Sequence, residues 1–139
     1  MSEYATPTNT TNPVLNPLTY WRVSAFALAA AAVLGIIVNA VAGNHTGIEG
    51  FLVFDWVHNI LHGVLAAAAF VFGFAKLPGN IVKAFAIVFG FIYGGLGVMG
   101  LALGMESTLF GILHVQLGTN LIHTLLGVWA LATGFTARY

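Results

Sequence analysis

Two short stretches repeat one pattern of polar side chains at the start of an apolar run: "DWVHNILHG" over residues 55–63 and "TNLIHTLLG" over residues 119–127. In each, an Asn precedes a His by three residues, giving Asn59/His62 and Asn120/His123. An imidazole inside an apolar segment costs free energy unless it has a partner. Neutral imidazoles bind transition metals and grip haem iron from its two axial positions. His62 and His123 are therefore candidate ligands of haem b or a chlorophyll-type pigment, with Asn59 and Asn120 as candidate supports one turn earlier. The first stretch adds Asp55 and His58. On a helix, Asp55, His58, Asn59 and His62 share one face, and histidines at i and i+4 chelate zinc or copper. This is a candidate metal site, to be completed by His123 or His114. The plainer readings are an Asn/His hydrogen-bond network between helices, at about 0.6–2 kcal/mol per contact, and an Asp55 that only complements a helix N-terminus.

The elements that must carry these residues are membrane helices. Of 139 residues, 59% are hydrophobic and 6% charged, far from the roughly 25% charge of soluble domains. There are no cysteines, which excludes disulfides and thiolate metal sites. Zero net charge gives no reason to expect nucleic acid as a partner. Four segments reach the roughly 20 residues a span needs: Leu18–Ala42, Leu52–Ala75, Ile81–Leu103 and Val115–Thr136. The polar stretch 1–17 has no basic n-region and reads as a non-helical, uncleaved arm. "MESTLFGILH" is expected to lie along the interface. Tyr20, Trp21, Trp56 and Tyr139 are expected as interfacial anchors, whereas Tyr93 and Trp129 lie deeper and read as packing.

Arg22, Lys76, Lys83 and Arg138 all fall at one membrane face in an up-down-up-down path. By the positive-inside rule that face, with both termini, is cytoplasmic. A shift of 61 residues superposes His62 on His123, Asn59 on Asn120, Gly43 on Gly104, Gly50 on Gly111, Gly73 on Gly134 and Arg22 on Lys83. The expectation is an all-α, four-transmembrane-helix bundle built from two tandem parallel helical-hairpin repeats, 18–77 and 78–139, with His62 and His123 at equal depth. The glycines of span three, against a lone Gly35 in span one, make an asymmetric setting for a flat macrocycle.

With "HNILHGVLA", "GFIYGGLGVMGLALG" and "NLIHTLLGVWAL", the chain from about Val33 onward resembles the domain-of-unknown-function family 4383 of small membrane proteins. That resemblance implies four spans and an Asn-x-x-His signature, and no activity. Ser24 and Ser107 are the only serines beyond the arm, and no carboxylate pair sits at catalytic separation, so no enzyme is expected. The sequence reads as a non-catalytic component of the lipid bilayer, packing beside other membrane subunits or copies of itself. The rival is a bis-His electron-transfer or pigment protein.

Overall fold

The computed structural model describes residues 12–104 and 106–139, without the side chains of residues 106 and 107. Most of the expected arm, residues 1–11, lies outside the described residues. Its end is a 3-10 turn at Pro13–Leu15, capped by Asn12, and Asn16 then caps the first helix by accepting from the Leu18 amide at 2.9 Å. That helix, α1, runs Pro17–Ala42, and Pro17 sits at its start, where a missing N–H costs nothing.

The remaining order is β1 (Thr46–Ile48), β2 (Leu52–Phe54), α2 (Trp56–Phe74), α3 (Gly79–Leu103), β3 (Glu106–Leu109), β4 (Leu113–Gln116) and α4 (Leu117–Thr136). The protein is mostly helical, but it is not all-α. β1 pairs antiparallel with β2, and β3 with β4. The second span therefore begins as a helix at Trp56 rather than Leu52, and "MESTLFGILH" is chiefly hairpin. The cause is glycine. Gly43 (φ 94°) and Gly104 (φ 117°) end the long helices in a conformation that L-residues avoid, and Gly50 (φ 71°) and Gly111 (φ 73°) turn the strands. Pairing then satisfies backbone groups that would otherwise be exposed beside the bilayer.

α1 packs along α2 and α3 along α4, and α1 also touches both α3 and α4. Arg22 near the start of α1 donates to the Gly73 carbonyl at the end of α2 (2.9 Å), so this pair is antiparallel. Lys83 near the start of α3 likewise donates to the Ala137 carbonyl beyond α4 (2.8 Å). Both cations meet a helix C-terminus, where the macrodipole favours positive charge. The β-hairpins form the opposite end.

In the second pair, glycine lets backbones touch. A Cβ on Gly127 would collide with the Gly94 backbone, whereas one on Gly94 would meet the Gly127 Cα at an ordinary 3.6 Å. The span-three glycines thus serve α3/α4 packing rather than the approach of a macrocycle.

The core at the basic end is aromatic. Tyr20 and Trp21 are buried against Phe89, and the Tyr20 and Trp129 rings meet edge-on at 5.0 Å. This corrects the expectation of Tyr20 and Trp21 as interfacial anchors. Trp21 faces inward because its indole N–H finds the Val82 carbonyl at 3.1 Å. Large apolar side chains such as Phe26, Val33, Ile37, Phe91 and Leu125 point outward. α1, α2 and α3 are each long and apolar enough to cross a membrane, which fits a membrane protein.

Candidate functional site

Each candidate side chain is set by the junction where a strand turns into a helix. Asp55 caps α2, its Oδ1 accepting from the His58 amide at 2.9 Å. Its second oxygen, Oδ2, lies 3.8 Å from His58 Nδ1. One turn later His62 rises on the same face, its ring centroid 4.6 Å from that of His58. From the other helix pair, α4 brings His123 within 5.6 Å of His58 and 6.4 Å of His62, centroid to centroid. One ligand nitrogen from each of His58, His62 and His123 lies within 4.8 Å of the others. His58 and His123 are buried and His62 is half-buried. His123 packs against the Tyr93 ring at 4.6 Å, yet neither of its ring nitrogens has a hydrogen-bond partner.

His62 and His123 thus lie in one cluster with His58, where the sequence grouped His58 and His62 with Asp55 and left the added ligand as His123 or His114. Asn59 and Asn120 do not support them. Asn59 donates to Asn39 Oδ1 of α1 at 2.6 Å, and its amide covers Gly35. Asn120 covers Gly100 of α3, with neither amide atom hydrogen-bonded. The reason is angular. A three-residue step leaves Asn and His about 60° apart, enough to aim Asn at the partner helix of its own pair and His at the cleft between pairs.

That cleft is a cavity of about 340 Å³. Ala27, Ala30 and Ala31 of α1 form one wall, and Ile122 and Leu126 of α4 form another. Its polar lining is His58, His62 and His123 with Asn59, Thr119 and Tyr93. Sequence reasoning missed Tyr93 as a lining residue and Asn39 as the partner of Asn59. A lone amide within an apolar helix was the available signal for Asn39.

Three imidazoles converging with no hydrogen bond between them have the geometry of a transition-metal site, since the lone pair of a neutral ring suits zinc, copper, nickel and iron. A tetrahedral zinc with bonds near 2.05 Å separates its ligand nitrogens by about 3.3 Å, so binding requires an inward closure of at most about 1.5 Å. A haem gripped by His62 and His123 fits less well, because the His58 nitrogen, within 4.8 Å of both, crowds the space a macrocycle fills. Asp55 stands beside His58 as a carboxylate does behind a metal-bound imidazole, where it fixes ring orientation.

The architecture is that of a small helical bundle with three membrane-length helices among the described residues. No family model matches the chain, and comparison with curated proteins and with solved structures gives no match either.

Proposed function

We propose that this chain is a non-catalytic integral membrane protein that holds one transition-metal ion between two helical hairpins, on His58, His62 and His123, with Asp55 orienting His58. One observation carries the reading: His123 is buried with both ring nitrogens unpartnered and directed at two further imidazoles. A buried polar group without a partner calls for an explanation, and a bound ion would supply one. In this reading α4 is a fourth span, since its 20 residues cover about 30 Å. The two helix–hairpin–helix units are tandem repeats, as the matched glycine turns suggest. The basic end is cytoplasmic, with both termini.

Haem or chlorophyll-type binding keeps less support, for the steric reason above. The outward apolar side chains suit lipid as well as a partner subunit or a second copy, so they favour neither.

The test of the metal reading is Co2+ titration of purified protein in lipid nanodiscs. One equivalent should produce visible d–d absorption of a low-symmetry nitrogen site. No absorption and no retained ion after dialysis would overturn it. The topology is tested separately by accessibility tagging in intact cells: tags at Met1 and Tyr139 should be labelled only after permeabilisation, and labelling from outside would reverse the assigned orientation.

A further inference from the structure

The cavity between the helix pairs has room for more than an ion. Its volume of about 340 Å³ falls in the roughly 300–1,000 Å³ range of small-molecule sites, and three imidazoles line only its polar end. His58 and Thr119 stand in the first turns of α2 and α4, beside the β-hairpins, with His62 and His123 one turn further in. Ala27, Leu28 and Leu126 line the remainder, toward the middle of the bundle. Leu34 of α1 and Ile122 of α4 line the cavity and are themselves exposed. It therefore reaches the outer surface between these two helices.

Two features bear on what fills it. The first is Thr119, which lies four residues before His123 and so on the same face of α4. It is 4% exposed, it lines the cavity, and its hydroxyl has no hydrogen-bond partner. The second is charge. A divalent ion on three neutral imidazoles brings two positive charges, and among the described residues no carboxylate lines the cavity. Asp55, 3.8 Å from His58 Nδ1, offsets one of them from behind that ring. The other is costly in apolar surroundings unless paired, and a three-histidine site leaves a fourth position for the ligand that pairs it.

We propose that this fourth ligand is the carboxylate of a single-chain fatty acid drawn from the bilayer, with the Thr119 hydroxyl donating to it and the acyl chain running past Leu28 and Leu126. This rests on the metal reading of the three histidines. A fatty acid matches the site in charge, polarity and direction. It is a monoanion with an apolar body, and in a bilayer it keeps its head near one face and its chain toward the midplane, as the cavity runs from His58 to Leu126. Hydroxide would balance the charge but leave the apolar part of the cavity unfilled. Binding is ligand exchange alone: the carboxylate displaces a metal-bound water, and no bond within the acid breaks.

The test titrates laurate, and separately acetate, into Co2+-loaded protein in phosphatidylcholine nanodiscs, read by d–d absorption beside equilibrium binding of labelled laurate. One laurate per protein should shift the absorption. Acetate should need at least about 100-fold more, since burying each methylene adds affinity. Thr119→Val, which keeps the shape of the side chain without its hydroxyl, should weaken laurate about tenfold with Co2+ affinity unchanged. Ala31→Phe, which fills the cavity from its α1 wall, should block laurate while acetate still acts. Retained Co2+ whose absorption laurate leaves unchanged, acetate as effective as laurate, or both variants matching wild type would each overturn the fatty-acid ligand and leave the metal reading standing. Failure to retain Co2+ at all refutes both.

Discussion

His123→Leu protein is expected to bind Co2+ at least about 100-fold more weakly than wild type. Residues that only orient a metal ligand typically cost 10–100-fold when changed, and His123 is itself a ligand and the sole one from α4. Leucine also fills the space with apolar volume and leaves no buried nitrogen unpaired, so the bundle should remain intact or gain stability. Lost affinity with retained folding separates a metal site from a structural network, in which the same change would weaken the bundle. Asp55→Asn refines the comparison. Asn is as good an N-cap as Asp, so α2 keeps its start while the carboxylate 3.8 Å from His58 Nδ1 is removed. Its cost should fall within the 10–100-fold range of an orienting residue. Isothermal titration in nanodiscs measures both. Equal affinity of His123→Leu and wild type would end the tri-histidine assignment.

The second large effect concerns Gly127. Gly127→Leu should drive α3 and α4 apart, because even a first side-chain carbon there collides with the Gly94 backbone. Overpacking costs about 1–3 kcal/mol where neighbours can yield, and backbone yields least, so the upper end is expected. Gly94→Ala, whose new carbon would stand 3.6 Å from the Gly127 Cα, should be nearly neutral. Thermal unfolding in detergent, followed by helical circular dichroism, compares them. A Gly127→Leu midpoint equal to that of Gly94→Ala would mean that the two helices are not in backbone contact.

The helices were legible because membrane spans advertise themselves by length and apolarity, and the shift of 61 paired His62 with His123, whose ring centroids lie 6.4 Å apart. The β-hairpins were not. Leu52–Val53–Phe54 is an apolar triplet that reads as the first turn of the span behind it, and only the glycine pairs 43/50 and 104/111 marked a separate element. Which of His123 and His114 lies beside His58 and His62 was not legible, since no periodicity within one helix says which face the other pair presents. Asn39 exposes the limit of a repeat argument. The matching position is Gly100, so Asn59 has a hydrogen-bonding amide across from it and Asn120 has a glycine.

The division of the histidine cluster between α2 and α4 bears on how the molecule is made. Each helix pair is nearly complete in itself, with its own cation-to-carbonyl closure. Two histidines emerge with the first pair and the third only with the second. On the proposed metal reading, the ion has no full site during synthesis until both pairs are docked, so its capture would report on assembly. The added stability is set by free metal, about 2.7 kcal/mol when the ion stands at 100 times its Kd. On that reading, the same chain in metal-poor cells lacks this added stability across the cleft.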